Sequence, residues 1–154
     1  MAEISDFDEL DRRIIELMSA SSEGSYRQIA KQLGVHPTTL IQRVRNLQAR
    51  GVIKGSRAKI DYMKLGFGYM GIVQIYIEGN MLDVQEGIKA LPQVTAVFDV
   101  TGDCDSIAWI ACKDREEFSD TVKSIMNIAG VKKTNTSVVL NMVKDPMDFV
   151  PEIL

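Results

Sequence analysis

Thr38, Thr39 and Gln42 form a short polar run followed by Arg43 and Arg45, and those side chains at that spacing can read nucleic acid. Threonine hydroxyls and a glutamine amide can hydrogen-bond base edges in a major groove. Guanidinium and ammonium groups instead neutralise phosphates, giving affinity and salt dependence rather than sequence choice. Arg43, Arg45, Arg50, Lys54 and Arg57 are expected in that role. His36, directly before the run, could meet a phosphate, cap a helix or simply pack. For Arg43 the competing expectation is an internal ion pair with an acid of the first helix. Residues 21–60 hold eight Lys/Arg against one acid, Glu23, in a chain of net charge −3, so the remainder is net acidic. That asymmetry is the footprint of a small module that meets a polyanion. A solvated charged surface is the plainer alternative.

The elements that must position these residues follow from periodicity. Phe7, Leu10, Ile14, Leu17 and Met18 recur at three and four, predicting a helix from about Asp8. Asp6, Asp8, Glu9 and Asp11 lie at its positive end. A loop over Ser19–Gly24 leads to Ser25, a candidate N-cap for a short helix with Ile29, Ala30 and Leu33 inward and Gly34 at its end. Pro37 suits the first position of a third helix, in which Leu40, Val44 and Leu47 face inward. Two helices joined by a tight glycine-containing turn are a helix-turn-helix, whose second helix enters the major groove. Gly51 closes that helix, and Val52–Asp61 alternates as a two-strand wing or an exit strand.

From Tyr69 the pattern changes. Tyr69–Glu78, Val94–Thr101, Ser106–Cys112 and Val131–Val143 read as strands; Leu82–Leu91 and Asp114–Ile128 read as helices. Gly102-Asp103-Cys104-Asp105 is a hairpin-like turn. The order βαββαβ is a ferredoxin-like split βαβ with helices on one face of the sheet. The fold class is therefore α+β, with a helix-turn-helix (winged) domain over residues 1–62 and a βαββαβ domain over 63–154. Ile72, Ile75, Ile77, Val138, Val139 and Leu140 make the first and last strands apolar on both faces. The face without helices then needs a second subunit, which predicts a homodimer.

Other classes find little support. There is no Ser/His/Asp set and no phosphate-binding loop, so no enzymatic activity is expected. His36, Cys104 and Cys112 lack a fourth soft ligand and a zinc spacing; no metal or cofactor is expected, and the cysteines read as reduced small hydrophobes. No run approaches the roughly 18 apolar residues of a membrane span. The acidic opening MAEISDFDEL has no secretory character, so the expected location is cytoplasmic.

Phe7–Asp11, Gln28-Ile29-Ala30, Gly34-Val35, Arg43-Val44, Leu47 and Gly51-Val52-Ile53 together resemble the Lrp/AsnC (feast/famine) regulators. Val100–Asp105 and Gly130–Thr136 resemble two hallmark segments of that family's RAM domain, and the likeness spans roughly residues 7–144. The resemblance implies a transcription regulator that binds double-stranded DNA and dimerises through its RAM sheets. Such dimers often assemble into tetramers, octamers or larger discs, and many hold a free amino acid between subunits. It also implies an effector loop of Thr101, Gly102, Asp103, Cys104 and Asp105, with Thr134 and Thr136 on the last strand. A glycine turn can present N–H groups to an α-carboxylate, and Asp103 or Asp105 can receive an α-ammonium; as bland turn residues they would do neither. Cys104 stands where the family usually has an aromatic, and His36 where it usually has a serine-like cap. The runner-up function is an effector-independent architectural protein that wraps DNA.

Overall fold

A computed structural model describes residues 6–20, 25–55, 58 and 60–150. By its contacts the chain divides into two units, Met1–Ile60 with Val143–Leu154, and Asp61–Met142.

The first unit is built on three helices, α1 (Glu9–Ala20), α2 (Tyr26–Leu33) and α3 (Pro37–Ala49). Asp8 caps α1 by accepting the Asp11 N–H at 2.9 Å. Ser25 and Gln28 form a reciprocal capping box on α2. Gly34 ends α2 at φ +66°, a left-handed conformation that a β-carbon would strain. That single residue lets Val35 N–H return to the Ala30 carbonyl at 3.0 Å and turns the chain into α3. Ile14, Ile29, Ala30, Leu40, Val44 and Leu47 are the buried core, with Phe7 at its margin.

Beyond α3 the winged expectation is not met among the described residues, which contain no strand over Val52–Asp61. Ser56, Arg57 and Lys59 lie outside the described residues. The physical reason is local. Val52 and Ile53 N–H both return to the Leu47 carbonyl, at 3.0 and 3.3 Å, and their side chains pack on the helical core.

The second unit has the order β1 (Tyr69–Ile77), α4 (Met81–Lys89), β2 (Val94–Asp99), β3 (Ser106–Cys112), α5 (Arg115–Met126) and β4 (Val131–Val138). The sheet order is β2-β3-β1-β4, every pair antiparallel. This is the ferredoxin-like arrangement. Val73 and Ile75 of β1, Ala108 and Ile110 of β3, Val84 and Ile88 of α4 and Ile125 of α5 are buried together, so both helices cover one face. Gly71 is the point of closest approach: a β-carbon there would sit 2.6 Å from the Phe118 ring. Cys112 is fully buried within 3.6 Å of the Thr121 hydroxyl, and burial pushes its thiol pKa up.

The last strand is shorter than its sequence pattern. Gly71 pairs with Val138, and Val139 N–H still reaches the Met70 carbonyl at 2.8 Å, but β1 begins at Tyr69. The regular strand nevertheless ends at Val138, one residue short of that contact, and Leu140 is 97% exposed. The apolar residues of β1 and β4 are also distributed differently than expected. Val73, Ile75 and Ile77 share the helix-covered face, and β4 presents Lys133, Asn135 and Ser137 opposite Tyr76, Gln74 and Ile72 on the other. That other face is nevertheless apolar at its centre, where Met70, Ile72, Ile107, Trp109, Ala96 and Phe98 alternate outward. Phe98 is 42% and Ile72 36% exposed, and Phe98 meets Trp109 edge to face at 5.5 Å.

Candidate functional site

Along α3 the buried residues Leu40, Val44 and Leu47 leave Thr38, Thr39, Gln42, Arg45 and Asn46 exposed on the opposite side. Their spacing of one, four, seven and eight from Thr38 gathers them on one helical face. His36 is the N-cap of α3: its Nδ1 lies 2.8 Å from the Thr38 hydroxyl and accepts the Thr38 N–H at 3.4 Å. Capping thus satisfies one of the N–H groups that a helix start leaves without a partner. His36 remains exposed, beside Thr38 at the start of the face. Lys54 is exposed after the helix, and Arg57 lies outside the described residues.

Arg43 is held inside the unit. Its Nη1 donates to Asp8 Oδ2 at 2.6 Å and to Asp11 Oδ1 at 3.2 Å. The Asp11 N–H, and then Arg43, hold the Asp8 carboxyl below its ordinary range; the Asp8 hydrogen bond raises Arg43. Arg50 is similarly engaged, with Cζ 4.2 Å over the Phe7 ring and both terminal nitrogens 3.4 Å from the Asp6 carbonyl. Arg43 and Arg50 are seven residues apart, on the flank of α3 that meets the start of α1. Arg45 lies on the open face instead.

Two cations that sequence reasoning counted without assigning are Arg27 and Lys31. With Ser25, Gln28, Val35 and Pro37 they line an open recess of about 420 Å³ at the junction of α2 and α3. Their signal was the charge imbalance of the window, and Asn46 had a signal in its helical phase.

In the second unit the Thr101–Asp105 loop joins β2 to β3. Thr101, Gly102 and Asp103 are exposed, and Cys104 is 8% exposed. Asp105 fixes the loop to β1: its N–H donates to the Ile75 carbonyl at 3.0 Å and its Oδ2 accepts the Ile77 N–H at 2.7 Å. One carboxylate oxygen of Asp105 is therefore engaged by the sheet, whereas Asp103 projects from the loop. Thr134 is in register with Ile75 on the opposite side of β1, so it and the loop flank the same end of that strand. Thr136 pairs with Val73, two residues further in, and both threonines are half-buried on the helix-covered side. Among the described residues no cluster of His, Cys, Asp or Glu could hold a metal ion, and no helix is long and apolar enough to cross a membrane.

A helix-turn-helix with one polar face, followed by a split βαββαβ sheet, defines a two-part DNA-binding regulator. Residues 7–48 match the model of the AsnC-type helix-turn-helix domain, and residues 71–149 that of the Lrp/AsnC ligand binding domain. An HTH-type transcriptional regulator of Pyrococcus furiosus is 38% identical over 147 residues, covering 95% of this chain and 99% of its own. HTH-type transcriptional regulator FL11 of Pyrococcus horikoshii is 31% identical over 92% of this chain and 95% of its own. The chain belongs to the Lrp/AsnC family of DNA-binding transcription regulators. The solved structure of Escherichia coli AsnC is 25% identical with a TM-score of 0.81, covering 90% of this chain and 95% of AsnC. A Neisseria meningitidis transcriptional regulator solved as an L-Met complex superposes at a TM-score of 0.84, covering 90% of this chain and 93% of its own; at 19% identity the likeness is one of fold.

Proposed function

We propose that this regulator acts as a homodimer joined through its open sheet face, with an amino acid bound near the Thr101–Asp105 loop adjusting its hold on DNA. The observation that carries the effector half is the anchored loop. Asp105 ties the turn to the end of β1, leaving Gly102 and Asp103 exposed, with Thr134 across β1 from the loop. Exposed N–H groups and a free carboxylate suit the two ends of an α-amino acid. The family's ligand-binding domain covers this same segment, which supports the reading. Asp103 is the carboxylate assigned to the α-ammonium, Thr134 and Thr136 serve as hydroxyl partners, and Cys104 shapes the wall where an aromatic is usual.

For DNA, Thr38, Thr39 and Gln42 read base edges, and Arg45, Lys54 and Arg57 neutralise phosphates. His36 orients the start of the helix. Dimerisation doubles the recognition surface, since one short helix buries too little to be specific. Dimers assemble further, into tetramers, octamers or larger. The effector acts by binding one assembly better than another, because equal affinity would shift nothing.

A thermal-shift titration with the twenty amino acids tests the effector. The expected result is one or a few that raise the melting temperature with concentration, worth about 2.7 kcal/mol at a hundredfold excess over Kd. Sedimentation and DNA affinity that ignore every amino acid overturn it.

A further inference from the structure

We propose that Arg43 is a positioning residue: with Asp8 and Asp11 it locks α3 against the start of α1, so its charge serves the geometry of the DNA-facing helix rather than a phosphate. This rests on α3 being the helix that meets DNA. Three observations converge on it. The Arg43 guanidinium nitrogen already has two carboxylate partners, at 2.6 and 3.2 Å. One of them, Asp11, is 7% exposed, so removing Arg43 to a phosphate would leave a buried charge without its counter-ion. The other, Asp8, does two tasks, accepting the Asp11 N–H with Oδ1 and Arg43 with Oδ2. The helix cap and the ion pair are therefore one structure.

Arg50 repeats the arrangement two turns along, stacked on Phe7 and bonded to the Asp6 carbonyl. The core residues Leu40, Val44 and Leu47 hold the inner face of α3 by burial. The two arginines on its flank add directional contacts to the start of α1, which fix the phase in which Thr39 and Gln42 are presented to a base edge.

The test uses the full chain on two duplexes: one selected from a random pool by the wild-type protein, and one unselected of equal length. Asp8→Asn keeps a capping oxygen but removes the charge. Positioning predicts that it weakens binding to the selected duplex by about fivefold, the fold-change of a modest ion pair, although it removes negative charge near a polyanion. Arg43→Gln should weaken the selected duplex similarly and leave the slope of affinity against salt unchanged, whereas Arg45→Ala lowers that slope by about one. The double variant Asp8→Asn/Arg43→Gln should be little worse than either single one, because both break the same contact. Circular dichroism and melting of each variant verify folding; should Arg43→Gln not fold, the Asp8→Asn result decides. Tighter binding by Asp8→Asn on both duplexes, or a salt slope that falls by about one in Arg43→Gln, overturns the positioning role. If Gln42→Ala and Arg45→Ala change nothing on either duplex, the reading of α3 fails and takes this proposal with it.

Discussion

The two units solve opposite problems with their polar groups. In the helical unit, the side chains on the flank of α3 are consumed internally, by Asp8, Asp11, Phe7 and Asp6, and the opposite face is left polar and open. In the sheet unit the open face is apolar at its centre, around Trp109 and Phe98, and the polar groups of the candidate effector site include a loop tied by Asp105 to β1. A surface meant for a polyanion needs rigid, solvated side chains; a surface meant for another protein needs desolvation. On the proposed roles, each surface depends on the contacts that hold it still.

The strongest way to probe that contrast is to empty each core separately. Ile14→Ala and Ile75→Ala remove fully buried side chains and should each cost about 2–5 kcal/mol. Amide exchange should rise chiefly in the unit that carries the change, and equal loss of protection in both would erase the distinction between them. Next in size, Trp109→Asp puts a charge at the centre of the open face. Sedimentation should show monomers, with DNA affinity down roughly a hundredfold; a persistent dimer would move the interface elsewhere.

Asp105→Ala leaves the Ile77 N–H without its acceptor and should cost about 1–3 kcal/mol. Loop amides should exchange faster, while Asp103→Ala leaves them protected; equal behaviour of the two would deny Asp105 its anchoring role. Gln42→Ala should lower discrimination between operator bases by about 1–2 kcal/mol without altering the salt slope, read by competition among selected duplexes. The smallest effect is the acid response of α1. Asp8 is depressed in the folded state, so its stabilisation is present above the unfolded value of about 3.9 and is lost as pH falls through the folded one. Melting measured downward from pH 5 should fall less steeply in Asp8→Asn than in the wild type; parallel profiles would mean the carboxylate adds little.

Much of this was legible in the sequence because it is local. The three-and-four spacing of Leu40, Val44 and Leu47, the glycine at 34 and the proline at 37 each encode their own geometry. β3 spans Ser106–Cys112, the bounds read from the sequence. What was not legible depends on partners far along the chain. Arg43 could be listed as a cation or as one half of an ion pair, and only the packing of α1 against α3 brings Asp8 and Asp11, more than thirty residues away, to its guanidinium. The end of β4 at Val138, short of the apolar Val139 and Leu140, likewise has no local signal in the sequence. Asp103 and Asp105 look alike in a turn, and the Ile77 N–H distinguishes them.

The strand order leaves β2 and β4 at the margins of the sheet, and each is blunted in its own way. β2 is six residues long, with an irregularity between Val94 and Ala96. β4 carries Lys132 and Lys133 in succession, Lys132 paired with Glu78 at 3.5 Å and Lys133 5.1 Å from the Tyr76 ring. Charged or interrupted margins resist the indiscriminate strand-to-strand addition that ends in fibrils. Margins of this kind thus favour the proposed face-to-face joining of copies over edge-to-edge addition.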